Sequence, residues 1–185
     1  MKSKDIIIPG NNVSLKLIKN TDIEEYYNSG FKSVDKEVQL YTGTKHSPTK
    51  ESIKAYVNRI VIDESRYDFL IINSDGQIIG ESVINEIDTN TMAGHFRICL
   101  FDSENFGKGI GSEVIPMTLK FAFKELNLHR IELEVFSFNE RAYKAYLRAG
   151  FIEEGRRRDA EFIEGRYCDV IIMGILRDEY FNQRP

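Results

Sequence analysis

Asn105-Phe106-Gly107-Lys108-Gly109-Ile110-Gly111-Ser112 places three glycines in five positions and carries no acidic residue. An apolar, strand-like run from Phe96 to Phe101 precedes it, and a helix-like run from Ile110 to Leu126 follows. Glycine lets the backbone turn tightly and approach a ligand, because no Cβ stands in the way. The free N–H groups at the start of the helix point outward, where the helix dipole favours negative charge. Strand, glycine loop and helix together predict a cradle for phosphate.

Two well-known nucleotide loops do not fit. A P-loop needs Lys followed by Ser or Thr after its last glycine, and Lys108 is followed by Gly109. A dinucleotide fingerprint read from Gly109 needs a third glycine where Val114 stands. A second stretch narrows the reading: Asn139-Glu140-Arg141-Ala142-Tyr143-Lys144-Ala145-Tyr146-Leu147-Arg148-Ala149-Gly150-Phe151. With it, the chain resembles the GNAT superfamily of acyl-CoA-dependent N-acyltransferases. That family carries Gln/Arg-x-x-Gly-x-Gly/Ala at its pyrophosphate loop, then Asn-x-x-Ala-x-x-x-Tyr-x-x-x-Gly-Phe. Gly109 and Gly111 match the first pattern; Asn139, Ala142, Tyr146, Gly150 and Phe151 match the second. Phe106 departs from it, standing where the family has Gln or Arg. The match covers about residues 93 to 176, while residues 1 to 92 fit by element order alone.

The resemblance implies an α/β (α+β) fold over residues 1–185 as one domain. It has a mixed, mostly antiparallel central sheet flanked by helices, with a splayed strand pair forming an acyl-CoA slot. It implies acetyl-CoA as cofactor and a primary amine as acceptor, either a protein N-terminus (the RimJ/RimL-like branch) or a small amine such as a polyamine. A non-catalytic acyl-CoA-binding module is the reading from another class. The cofactor-binding positions implied are Leu100, Phe101, Phe106, Gly107, Lys108, Gly109, Ile110, Gly111, Ser112, Asn139 and Tyr146. The strand Ile98 to Phe101 pairs with the pantetheine arm, and a backbone N–H near Leu100 meets the thioester oxygen. The family also often dimerises.

Transfer to an amine needs a proton for the departing thiolate and a neutral nucleophile. A phenol stays protonated at neutral pH, so Tyr146, at the family's tyrosine position, is the candidate acid. The base is open: His95 stands where related branches carry glutamate, and imidazole relays protons near neutrality. Glu134, with Glu81, Glu86 and Glu132, is a further candidate; alternation puts Glu132 and Glu134 on one strand face. Asp22, Glu24, Glu25, Asp35 and Glu37 are acids available to a polycationic acceptor.

Composition bounds the remainder. The chain of 185 residues is 42% hydrophobic and 29% charged, ordinary for a globular domain. A net charge of −4 argues against general nucleic-acid binding. Met1 to Pro9 lacks a long apolar segment and no run approaches a membrane span, so a cytoplasmic location is expected. Cys99 and Cys168 read as free thiols, three scattered histidines make no metal site, and Arg156-Arg157-Arg158 reads as a solvated face.

The pattern predicts strands at Val13–Ile18, Asp68–Ile72, Ile78–Ile84, Ala93–Phe101, Arg130–Phe136, Phe151–Phe162 and Tyr167–Leu176. Helices are predicted at about Ile23–Phe31, from Pro48 to Ile62, Ile110–Leu126 and Asn139–Ala149. Residues 33 to 48 read as an irregular mobile loop, and Pro116 should bend its helix.

Overall fold

The computed structural model describes residues 5–182. One eight-stranded sheet organises the chain, in the order β1-β2-β3-β4-β5-β6-β8-β7. Its strands are β1 (Ile7–Pro9), β2 (Val13–Leu17), β3 (Tyr67–Asn73), β4 (Ile78–Asp88), β5 (Ala93–Leu100), β6 (Arg130–Phe136), β7 (Ile152–Ile163) and β8 (Arg166–Leu176). Every neighbouring pair is antiparallel except β5 and β6. The helices are α1 (Ile23–Gly30), α2 (Lys36–Thr42), α3 (Lys50–Ile60), α4 (Ile110–Lys120), α5 (Glu140–Ala149) and α6 (Arg177–Asn182).

Strand alternation sends side chains to two cores. Phe69, Ile84, Phe96, Ile131 and Leu133 join Val114, Ile115 and Leu119 of α4 in the larger one. Leu70, Ile78 and Phe101 join Tyr26 of α1 and Ile53, Val57 and Ile60 of α3 in the smaller one. The Ser82 and Thr118 hydroxyls, both buried, meet at 2.7 Å and pin α4 to β4. A buried polar pair stays in register only if both groups find each other, so the contact fixes where α4 sits.

The expected strands and three of the four expected helices form as read, within about two residues at most ends. Three details differ. Residues 33–48 hold a helix: α2 starts because the Asp35 carboxylate accepts from the amides of Glu37 and Val38, at 2.7 and 3.0 Å. It stops at Gly43, whose φ of 66° is the left-handed conformation that ends helices. Pro48 lies outside α3, whose cap is Thr49. The helix after the glycine loop runs through Pro116 to Lys120 and widens into a π turn at Phe121–Glu125. Proline has no N–H to give the carbonyl of Ser112, and the widened pitch follows one turn later.

Candidate active site

The site begins where β5 and β6 part. They pair only at Ala93–Arg130, Gly94–Ile131 and His95–Glu132. Beyond His95, β5 stays on β4 as far as Gly80–Leu100, while β6 stays on β8 as far as Phe136–Val170. A wedge therefore opens between them. The Phe101 amide donates to Ile79 of β4 at 3.0 Å. Backbone direction alternates along a strand, so Phe96, Ile98 and Leu100 turn their N–H and C=O groups into the wedge. An extended ligand arm lying there completes the ladder that β6 abandons.

The wedge widens into a cleft of about 540 Å³. Gly107, Gly109, Ile110, Gly111 and Ser112 line it, together with Asn139, Ala142, Ala145 and Tyr146 of the α5 segment. Gly107 and Gly109 have φ of 74° and 83°, which L side chains rarely adopt. A Cβ on Gly107, Gly109 or Gly111 would meet nothing within 4 Å, so the space in front of the loop is open. The first helical bond of α4 runs from Glu113 N–H to Gly109, 3.1 Å. The opening amides of an α-helix have no i−4 carbonyl to bond, so the N–H groups of Ile110, Gly111 and Ser112 stand at the open end of α4. An open concavity ringed by unpaired N–H groups at a helix start fits a pyrophosphate.

Tyr146 stands at the other end of the cleft. Its ring is clasped by Phe96 and Phe151, with centroids at 6.2 and 5.8 Å, and only 6% of the residue is exposed. Burial, reinforced by nearby Cys99, pushes the phenol further above its ordinary range. It therefore stays protonated and able to donate near neutral pH. Its hydroxyl has no hydrogen-bond partner among the described residues. Asn139 caps α5 through Oδ1, which accepts from Ala142 N–H at 3.2 Å, leaving its amide NH₂ toward the cleft it lines.

Cys99 also lines the cleft, and the sequence did not single it out. Burial is the main cause that pushes its thiol up to about 12, with Glu81 beside it acting in the same direction. The thiol is thus neutral near pH 7 and a poor nucleophile. Glu81, opposite Cys99 on β4, is buried and fully engaged. It accepts from the Tyr26 hydroxyl at 2.5 Å and pairs with Arg97 at 3.0 Å.

His95 and Glu134 both line the cleft, from its two separate walls. His95 sits at the last shared pair of the parting strands, at the apex of the wedge. Glu134 lies one alternation beyond Glu132 on β6 and is held by Arg157 of β7. Glu132 does not reach the cleft and pairs with Arg130 at 3.1 Å, while Glu86 points to solvent.

Two expected cofactor positions are not brought in. Phe101 turns its ring into the smaller core, against Gly30, Tyr26 and Phe31. Lys108 is exposed on the loop and forms no part of the lining. Phe106 and Leu100 do line the cleft. The sequence reading also missed one whole wall: Val38, Tyr41 and Thr42 of α2 close the cleft. The signal was present, since Asp35 and Gly43 bracket a short helix with an N-cap acid and a terminal glycine.

Among the described residues, no His/Cys/Asp/Glu cluster of metal-holding arrangement occurs, and no helix is long and apolar enough to cross a membrane.

Comparison with known proteins matches this geometry. Residues 12–152 match the family model described as acetyltransferase (GNAT) domain. The chain is 30% identical over 173 residues to the SPbeta prophage-derived uncharacterized N-acetyltransferase YokL of Bacillus subtilis, covering 92% of this chain and 93% of that one. It is 32% identical over 133 residues to a spermidine N(1)-acetyltransferase of Vibrio cholerae, covering 72% and 76%. The crystal structure of the Vibrio cholerae spermidine N-acetyltransferase in complex with CoA and spermine superposes with a TM-score of 0.83, at 27% identity, over 92% of this chain and 99% of that one. The chain belongs to the GNAT family as an N-acetyltransferase that uses acetyl-CoA, and its fold is shared by a relative solved with CoA.

Proposed function

We propose that this enzyme acetylates a primary amine, a protein N-terminus or a small amine, by direct attack of the amine on the thioester. The observation that carries the reading is the pairing of a protonated, buried Tyr146 with a neutral Cys99 in one cleft. A covalent acetyl-cysteine route needs a thiolate, and burial withholds it. A direct route needs a proton donor at the leaving sulfur, and Tyr146 supplies one.

The roles follow from position. Amides of Gly107, Gly109, Ile110, Gly111 and Ser112 hold the pyrophosphate, and the β5 edge from Ile98 to Leu100 aligns the pantetheine arm. The Leu100 N–H points into the wedge and stabilises charge growing on the thioester oxygen. His95, at the apex, takes by way of water the proton that the attacking amine sheds, since it lies five strand residues, roughly 16 Å, from Leu100. Glu134, fixed by Arg157, attracts the ammonium before that proton is lost. Loss of this proton matters most for an amine with a pKa near ~10, and less for an N-terminus near ~7.7–8.0.

A polyamine acceptor is the second reading. Relatives named spermidine acetyltransferases favour it, as does Glu161, a cleft-lining carboxylate with no ion-pair partner among the described residues. The acids of residues 20–40 do not add to it. Asp22 pairs with Lys16 at 2.7 Å, Glu24 with Lys50 at 2.5 Å, and Asp35 caps α2. None of them, nor Glu25 or Glu37, lines the cleft.

The test is thiol release from acetyl-CoA across spermidine, spermine, monoamines, amino-group antibiotics and peptides with varied N-termini. Turnover on polyamines that falls selectively in Glu161→Gln supports the second reading; turnover on peptides supports the N-terminal one. Tight acetyl-CoA binding with no turnover on any amine of the panel leaves an acceptor outside it or the binding-module reading.

A further inference from the structure

Phe106 occupies a loop position where a cation would meet an anion in the cradle, yet a phenyl ring brings no charge. The structure puts a cation directly on that ring. The guanidinium carbon of Arg141, in the first turn of α5, lies 3.7 Å from the Phe106 centroid and 4.9 Å from that of Tyr41. Tyr41 belongs to α2, and its ring in turn contacts Phe106 at 6.1 Å and Phe138 at 6.0 Å. Three elements therefore converge to hold one side chain: the glycine loop, α2 and α5. A guanidinium stacked on two rings loses rotational freedom before any ligand arrives, so less is lost when it binds.

Its donors are available. The contact of Arg141 with an acid, Glu37 at the start of α2, is 3.9 Å long with both side chains nearly half exposed. A pair this long and this wet contributes little. Arg141 lines the cleft beside Asn105, Phe106, Gly107 and Gly109. Arg148, at i+7 on the same helix face, lines it further along, and the remaining lining cation, Arg97, is engaged with Glu81 on β4. Lys108 is exposed and is not among the residues that line the cleft.

We propose that Arg141, stacked on Phe106, is the cation of the pyrophosphate cradle, so that α5 supplies the charge that the loop itself lacks. The proposal rests on the acetyl-CoA reading. The amides of residues 107–112 are neutral donors, and a dianionic pyrophosphate brought against them calls for a countercharge with planar, paired N–H groups. Arg141 presents that fork at the loop's first residue. Phe106 acts as a positioning residue: it orients the guanidinium without touching phosphate itself.

The test is calorimetric Kd for CoA and for dephospho-CoA, with unliganded melting temperature recorded for every variant. Arg141→Gln is expected to weaken CoA about tenfold, the loss of one charged hydrogen-bonding partner. The same loss is expected with dephospho-CoA, because the pyrophosphate is present in both. Phe106→Leu is expected to fall between wild type and Arg141→Gln. The double variant Phe106→Arg with Arg141→Gln is expected to regain most of the affinity, since charge returns to the same place from the loop. CoA affinity unchanged in Arg141→Gln overturns the proposal. A loss seen with CoA and absent with dephospho-CoA also overturns it, moving Arg141 to the 3′-phosphate. Failure of wild type to bind CoA is a different result, and it would sink the cofactor reading itself.

Discussion

Replacing Tyr146 by Phe removes one oxygen from the cleft and nothing else. The ring contacts with Phe96 and Phe151 remain, and the hydroxyl has no hydrogen bond among the described residues to lose. Folding stability should therefore barely move, because no buried donor or acceptor is left unpaired. Catalysis should move a great deal. A positioned general acid contributes roughly 10²–10⁴-fold, so kcat is expected to fall by at least ~100-fold. The KM for acetyl-CoA should hold, since the pyrophosphate and pantetheine contacts lie elsewhere. In wild type, the phenol titrates above its ordinary value near ~10, so no loss of rate below that pH arises from Tyr146. Tyr146→Ala is the contrast: losing a buried aromatic ring costs about 3–5 kcal/mol and should lower the melting temperature visibly. The assay is steady-state thiol release with both substrates varied, beside a thermal melt. Equal kcat in the Tyr and Phe proteins would refute the acid role and return Tyr146 to the core.

Four further outcomes are expected. Cys99→Ala should keep most of the wild-type kcat, and thiol alkylation near neutral pH should be slow, because the thiol is held up at about 12; inactivation of Cys99→Ala with intact fold would restore a covalent route. Gly111→Glu should abolish CoA binding while the protein melts normally: position 111 has no positive φ and open space for a Cβ, so only the cradle suffers, and unchanged CoA affinity would end the cradle assignment. Asp35→Ala should speed amide exchange in α2, because the carboxylate accepts from Glu37, Val38 and both the amide and hydroxyl of Ser103. Those bonds hold its pKa at about 2, below the ordinary 3.8; the stabilisation is thus complete above ~4 and lost as pH falls through about 2, and α2 exchange insensitive to this acid range would count against it. Gly80→Ala should destabilise the fold, as its Cβ would lie 2.4 Å from the Cys99 carbonyl, a backbone atom that cannot step aside; a melt equal to wild type would show that β4 and β5 can shift.

Local chemistry wrote much of this enzyme into its sequence. A run of glycines between apolar residues and a helix start has few physical meanings, and the loop formed where the pattern put it. Asn139 and Gly150 bracket α5 because a side-chain cap and a left-handed residue are local signals. Tyr146 was legible for the same reason: its spacing from Asn139 is counted along one helix. Alternation likewise set the faces of β5 and β6 before any neighbour was known. What tertiary structure decided were the facts that depend on two distant segments meeting. The wedge exists because β5 follows β4 while β6 follows β8, and no single strand encodes that divergence. Phe101 left the expected site because Gly30, 71 residues away along the chain, has no side chain and made room for its ring in the smaller core; a Cβ there would lie 2.8 Å from that ring. Helix α2 escaped the reading because its few apolar residues face a cleft rather than a core, so its periodicity is faint. The same long-range packing set Arg141 on Phe106 and raised the Cys99 thiol, for burial and stacking are properties of a neighbourhood that only the folded chain assembles.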